Sequence, residues 1–414
     1  MKLSANPANP KPANLGTVPL LWGFFFLSYL LRVNIAVAQQ YIALEFHFND
    51  IQIGYIFSAF LIGYTLFQIP SGILADRFGP RSVFVLSGLW WAATTFLTGA
   101  VPAFGGTLLF LLVIRFLHGV GESAMYPVGM SAISRWFPVS THALITALVY
   151  TGSTVGSACA PPLVAGIMHA SGWRATFYWT ALPPLLLTAF WLLGTRRILP
   201  VQQVIQRKLS PGVRITAWWR LLRSRDVAAL CLSYFLYCYA ISIYVYWLFK
   251  YLVDVRHLSI VSSGWVNAVP WIAASVAVPC FGWFSTRLAR SIGSLPAQRN
   301  IAVACLLAAA FLMYVGASAQ QIGAAVAAIA VSVALLFCTE SPYGSTCIQI
   351  SGEDAGTGTG LMNLAGNLGG IAATSLVPVL ETHFGWLTAL LSGSIAALLA
   401  AAVWFVVRKN SEGL

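Results

Sequence analysis

The sequence predicts an all-α membrane protein of twelve transmembrane helices, arranged as two six-helix pseudo-repeats. Three observations lead there. First, 58% of the 414 residues are hydrophobic and only 8% are charged, against about 25% charged in an ordinary soluble domain. So little charge cannot cover a water-facing surface, and most of the surroundings must be lipid. Second, apolar runs of membrane-spanning length recur along the whole chain. Third, pairs of local motifs return at a nearly constant offset.

The runs lie at 19–41, 51–74, 82–101, 107–133, 143–168, 175–194, 227–253, 261–284, 300–317, 322–350, 357–380 and 386–407. A helix crosses the hydrocarbon in about 20 residues, and only helices or closed barrels satisfy their backbone polar groups in lipid. Strand alternation is absent, which excludes a barrel. The expected organisation is a disordered Pro-, Asn- and Ala-rich tail at 1–18, a six-helix bundle at 19–194, a basic linker at 195–226, a second bundle at 227–407 and a short tail at 408–414. The first run is too long for a signal-peptide core and contains Arg32, so it reads as a retained span.

The net charge of +12 follows from topology. With both tails and the loops after even-numbered spans placed inside, eighteen of the 23 Lys and Arg are cytoplasmic, and only Arg174 and Arg256 fall outside. This is a strong positive-inside pattern. The linker's bases suit anionic lipid headgroups, so the basic pI needs no nucleic-acid partner. A multi-pass inner-membrane protein with cytoplasmic termini, acting as a monomer, is expected.

The seven cysteines lie inside apolar runs without metal-ligand spacing and read as packing residues. No metal or cofactor is expected. No nucleophile elbow or phosphate loop stands out in the water-accessible segments, which argues against an enzyme.

The repeat rests on three anchors. Gly172-Trp173 returns as Gly385-Trp386 at an offset of 213, Tyr41 and His47 return as Tyr251 and His257 at 210, and Gly72 with Arg77 returns as Gly282 with Arg287 at 210. Parallel six-span repeats characterise one large transporter class, with the substrate site at midplane between the halves.

Ionisable residues inside spans are costly, at least about 2.5–3.5 kcal/mol at midplane on insertion scales, and mark function by default. Arg32 lies midway along the first span beside small residues, where its guanidinium can fork onto a substrate carboxylate; a structural pair with another carboxylate is the alternative. Arg115, His118 and Glu122 stand at i, i+3 and i+7 on the fourth span, one helix face. A carboxyl group there loses hydration, which favours its neutral form, while a neighbouring Arg favours the charged form. Glu122 is therefore a candidate proton carrier, with a static Arg–Glu pair as the alternative. His118 reads as an uncharged packing residue. Glu340 precedes Pro342, which should break its helix; it is a second proton candidate or a partner for freed backbone amides. Lys250 is expected to snorkel to the outer interface. On the eleventh span Asn363 and Asn367, at i and i+4, could bind substrate hydroxyls or another helix, and the surrounding glycines permit close packing.

The loop Gly72-Ile-Leu-Ala-Asp76-Arg77-Phe-Gly79-Pro-Arg81 resembles the signature loop of the major facilitator superfamily. There Gly72 would allow close helix approach and Asp76 would pair with a base or a helix N-terminus. Within that superfamily, Arg32-Val-Asn-Ile-Ala-Val-Ala38, Tyr64-Thr-Leu-Phe-Gln68-Ile-Pro70, Arg115-Phe-Leu-His-Gly-Val-Gly-Glu122 and the Asn367-Leu-Gly-Gly stretch resemble the anion:cation symporter family, which includes sialin and bacterial galactonate and hexuronate carriers. The resemblance implies that Arg32 engages a substrate carboxylate, that Arg115 and Glu122 link protonation to binding, and that Tyr64 and Asn367 help hold sugar acids. Sugar-acid carriers usually have Asp before the first-span Arg; here Leu31 stands there, as in the sialin and vesicular glutamate branch. The first outer loop is short and lacks a glycosylation sequon, which suits a bacterial inner membrane.

Proton-coupled symport of a small organic anion is therefore the expected function. Arg115-x-x-x-Gly119-x-Gly121 and Gly152-x-x-x-Gly156 also resemble motifs of drug–proton antiporters, so a drug or metabolite exporter is the alternative. Two midplane arginines suit a cationic drug badly. A non-transporting membrane sensor is a third possibility.

Overall fold

The computed structural model describes residues 15–102, 106–138, 141–196 and 219–407, without the side chains of Leu15, Asp76, Ala143, Thr286 and Glu353. Most of the expected tails and linker lies outside these residues. Where description begins, Leu15–Thr17 form a 3-10 turn that leads into the first helix. The helices are α1 Val18–Phe46, α2 Asp50–Gly99, α3 Thr107–Glu122, α4 Met125–Trp136, α5 His142–Gly194, α6 Arg225–Asp254, α7 Ile260–Ile292, α8 Ser294–Ser318, α9 Ile322–Cys338, α10 Glu340–Ser351 and α11 Ala355–Trp404. No strand occurs among the described residues.

Ten helical segments are long and apolar enough to cross a bilayer. Two of them, Leu144–Gly194 and Ala355–Trp404, run to 51 and 50 residues, or ~75 Å at 1.5 Å per residue. That is more than twice the hydrocarbon thickness. Each is broken midway, at Gly172 (φ 81°, ψ 165°) and Gly385 (φ 80°, ψ 169°). Residues with a Cβ rarely adopt such angles, so the Gly-Trp pairs found in the sequence mark the breaks. Divided there, the segments come to twelve. α2 is broken in the same way at Gly79, φ 77°.

The backbone repeats the internal duplication. His47 and His257 are the two non-glycine residues with positive φ, at 56° and 53°, among the described residues. Helices α1 to α5 pack among themselves through α1 on α5 and α2 on α3; the later helices do so through α6 and α8 on α11 and α7 on α9. Some crossings bring backbones into contact. A Cβ on Gly119 of α3 would fall on the Phe60 carbonyl of α2, and one on Gly369 of α11 on the Phe235 carbonyl of α6. Outward-facing Trp179, Leu186, Phe190, Trp283 and Phe311 are each at least 60% exposed, an apolar perimeter suited to lipid.

The two sets of helices join near the C-terminal ends of α1 and α6 and the N-terminal ends of α2 and α7. Gln40 Nε2 donates to Asp254 Oδ1 at 2.5 Å, and Gln39 Nε2 to the Tyr246 carbonyl at 3.1 Å. Ser58 Oγ bonds Thr374 Oγ1 at 2.7 Å, and Phe57 packs on Tyr246 and Trp247. Lys250 corrects an expectation. It does not reach for an interface but is 13% exposed, 3.3 Å from Asp50 across the junction and paired also with Asp254. Two carboxylates within reach hold the ammonium more strongly than headgroup water would. The close approach expected at Gly72 is likewise absent in this conformation. Its neighbour is the Pro127 ring, 3.7 Å from where a Cβ would stand, an ordinary contact rather than a backbone collision.

Candidate functional site: a central cavity between the helix sets

Arg115, His118 and Glu122 lie along α3 and are each no more than 2% exposed. Glu122 is the last residue of α3. The helix stops there, Ser123 bonds the Val120 carbonyl (2.7 Å) and Ser71 Oγ (2.6 Å), and α4 starts at Met125. Oε1 of Glu122 accepts from Arg32 Nε at 2.9 Å, Arg32 Nη2 at 2.6 Å and Ser28 Oγ at 2.7 Å. Oε2 is buried without a hydrogen-bond partner. The carboxylate's basic partner is therefore Arg32 of α1, not Arg115. An i, i+7 pair is separated by about 10.5 Å of helix rise, whereas Arg32 reaches Glu122 sideways from the adjacent helix.

Arg32 is 13% exposed. Its guanidinium lies over the rings of Tyr29 (4.6 Å), Tyr64 (5.0 Å) and Phe60 (5.2 Å), which favours a cation there. Tyr64 Oη also accepts from Gln68 Nε2 at 3.2 Å. Arg115 stacks on the other side of Phe60 at 4.9 Å, and its Nε and Nη2 are buried without partners. His118 Nδ1 lies 2.8 Å from Thr94 Oγ1. The Thr94 hydroxyl also reaches the Trp90 carbonyl at 2.8 Å, and His118 Nε2 lies 3.9 Å from Glu122 Oε2.

The opposite wall comes from α6, α10 and α11. Glu340 is the first residue of α10, directly after a break at Thr339. Pro342 sits in the first turn, where a missing N–H costs nothing. Tyr237 Oη donates to Glu340 at 2.9 Å and Tyr234 Oη at 3.2 Å. The side chain is otherwise exposed, with no basic partner among the described residues. Asn363 and Asn367 are half-buried and neither amide makes a hydrogen bond among the described residues. Gly366 between them packs on Tyr234 and Cys238, and Tyr234 is one of the two tyrosines that hold Glu340.

Tyrosines that the sequence did not single out line the space between. Tyr29 Oη bonds Tyr126 Oη at 2.9 Å, and the Tyr126 ring meets Tyr150 at 5.3 Å. Tyr29 and Ser28 stand three and four residues before Arg32, a same-face spacing that could have identified them; Tyr126 and Tyr150 carried no such signal. An apolar groove of about 470 Å³ bordered by Tyr55, Phe116 and Ile371 opens elsewhere and holds none of these charges. No group of three metal-binding side chains occurs among the described residues.

In the signature loop, Gly79 takes the left-handed angle, Arg77 lies over Phe78, and Arg81 donates to Thr195 Oγ1 (3.1 Å) and the Leu192 carbonyl (3.3 Å). Arg81 thus caps the C-terminal end of α5, where a cation is favoured. The Asp76 side chain lies outside the description.

Comparison with known proteins agrees with this architecture. Residues 21–374 match the Major Facilitator Superfamily. The chain is 30% identical over 405 residues to a probable sulfoacetate transporter of Cupriavidus necator, covering 92% of this chain and 91% of that one. It is 27% identical to a hexuronate transporter of Bacillus subtilis (92% of each) and 26% identical to a D-galactonate transporter of Escherichia coli (98% of each). Its fold matches a bacterial homologue of the human lysosomal transporter Spinster, solved inward-facing and occupied, with a TM-score of 0.81 at 16% identity over 96% of this chain and 97% of that one. These relatives are transporters and not enzymes, and the chain belongs to the Major Facilitator Superfamily, alongside members that carry anions.

Proposed function

We propose that the protein is a proton-coupled symporter of small organic anions, carboxylates or sulfonates, working by alternating access in a bacterial inner membrane with both termini cytoplasmic. The observation that carries this reading is the state of Arg32, an aromatic-caged guanidinium at the edge of the cavity whose hydrogen bonds are taken by one internal carboxylate oxygen.

While Glu122 is ionised, Arg32 is committed to it. A proton on the unpartnered Oε2 removes that charge and frees the guanidinium to fork onto a substrate acid group. Arg115 offers two unsatisfied donors nearby, and Tyr64, Asn363 and Asn367 offer hydrogen bonds to the rest of the molecule. Proton and anion then bind together and leave together, which is symport. Glu340, the second proton candidate, faces no base that would sense its charge, so we place coupling on Glu122. With the positive-inside orientation the Lys250–Asp50 junction is the outer seal, and the substrate path opens toward the cytoplasm.

The exporter reading draws less support. Gly119 serves the α2–α3 crossing, and Gly152 and Gly156 pack on the Trp22 and Phe26 carbonyls of α1, so packing accounts for these motifs. The test is uptake of radiolabelled sulfoacetate and galacturonate into proteoliposomes under an inward proton gradient. Gradient-driven accumulation in wild type, lost in Glu122→Gln with counterflow retained, is expected. Accumulation untouched by Glu122→Gln, or by Arg32→Ala, would overturn the proposal.

A further inference from the structure

The internal repeat relates the two walls of the cavity. At the offset of 210 set by Tyr41 and Tyr251, Ser28 corresponds to Cys238 and Arg32 to Ser242. The carboxylates do not fall at that offset, since Glu122 and Glu340 are 218 residues apart, but each flanks a break in its helix. Glu122 ends α3 at the break before α4, and Glu340 begins α10 at the break after α9. Ser28 bonds Glu122, and Cys238 lies beside Glu340. One element of the first wall is missing from the second: where Arg32 neutralises Glu122, Ser242 stands, and Glu340 has no base among the described residues.

The walls are therefore charged in opposite senses. Arg32 and Arg115 against Glu122 leave one wall a net cation, and Glu340 leaves the other a net anion. Tyr234 and Tyr237 both donate to Glu340, whose side chain stays exposed. Their rings lie 5.5 Å apart beside the carboxylate, an apolar and π-rich surround that suits an ammonium group. Tyr150 packs on Tyr126, which bonds Tyr29 of the Arg32 cage, and Arg32 and Glu340 stand on facing helix sets that meet where Gln39 donates to the Tyr246 carbonyl.

We propose that Glu340, Tyr234 and Tyr237 form a subsite for a protonated amine, and that the carried acid bears one, its acid group on Arg32 and its ammonium on Glu340. This rests on the anion-carrier reading. In the closed carrier such a ligand places a counter-charge against each wall, whereas an unsubstituted anion leaves Glu340 unmet.

The test compares ligands that share a skeleton and differ in one substituent: aspartate, malate and succinate; taurine, isethionate and ethanesulfonate; β-alanine, 3-hydroxypropionate and propionate. Binding to purified full-length protein is followed by calorimetry at pH 6, in wild type, Glu340→Gln and Arg32→Ala. The amino member of at least one set should bind at least tenfold tighter than its deamino counterpart, and Glu340→Gln should bring that ratio close to one. If Glu340→Gln does not fold, the Tyr234→Phe, Tyr237→Phe double variant should reduce the ratio instead. Amino members no tighter than deamino ones, hydroxy members tightest, or a ratio unchanged by these substitutions would overturn the amine subsite. Loss of all binding in Arg32→Ala would meanwhile leave the anion-carrier reading standing; binding indifferent to Arg32 would remove both.

Discussion

If Glu122 and the substrate compete for Arg32, neutralising Glu122 must strengthen anion binding rather than weaken it. The size follows from the contacts. Glu122 Oε1 receives two guanidinium bonds, at 2.9 and 2.6 Å. Hydrogen bonds between charged partners contribute roughly 1.5–3 kcal/mol and neutral ones about 0.5–1.5. Glu122→Gln keeps an oxygen in place but removes the charge, a difference of about 1 kcal/mol per bond and about 2 kcal/mol in all. At 1.4 kcal/mol per tenfold, that is an affinity gain on the order of 30-fold for the anion at pH 8. Wild-type affinity should fall as pH rises, because the proton that frees Arg32 is lost, and the variant should show no such slope. Calorimetric titration of sulfoacetate between pH 5.5 and 8.5 tests both. Weaker binding in Glu122→Gln, or an unchanged pH slope, would show that the carboxylate helps to hold the substrate and would refute the competition.

Arg32→Lys keeps the charge but loses the fork and the stacking on three rings; substrate affinity should drop ten- to hundredfold in the same titration. Lys250→Met unpins Asp50 from α6, so a cysteine placed at Ser58 in the junction should label severalfold faster with a membrane-impermeant thiol reagent in a background free of other reactive cysteines; unchanged labelling would mean that the ion pair does not hold the seal. Gly119→Leu drives a side chain into the Phe60 carbonyl and should cost about 1–3 kcal/mol, read as a lowered melting temperature in detergent. Gly360→Ala, where nothing lies within 4 Å, should leave melting unchanged.

Much of the architecture could be read directly from residue order. Scarce charge and recurring apolar runs require lipid-embedded helices whatever the details of packing. Gly172 and Gly385 could be read too, because few residues besides glycine tolerate φ near 80° and the break must fall where the chain turns between spans. The site was legible as a set of residues but not as a set of pairs. Helix periodicity placed Arg115 and Glu122 on one face, yet which arginine reaches the carboxylate depends on how α1 packs against α3, and no local spacing carries that. Lys250 misled for the same reason: beside a bilayer, a lysine near a helix end suits the interface, and only the approach of α2 brings Asp50 within 3.3 Å. The break at Ser123–Ala124 lies where Pro127 cannot bond the Ser123 carbonyl, a signal that could have been read from the sequence. A serine pair across to α2 also holds it, and that tertiary contact was not legible.

The placement of these charges also bears on what moves the carrier. Arg32, Ser28 and Glu122 all belong to the first set of helices, so their mutual bonds do not themselves cross between the sets. Protonation alone cannot rock the molecule; a ligand shifts a two-state equilibrium only by binding the two states differently. On the proposed reading, what spans the cavity is the substrate, with its acid group at Arg32 and its remaining groups toward Asn363, Asn367 and Glu340. Closure becomes favourable when those second-wall contacts form, and reopening on the other side requires the Lys250–Asp50 junction to yield. On that proposal coupling divides between two places: Glu122 would decide whether an anion can enter the site, and the far wall whether its arrival closes the carrier.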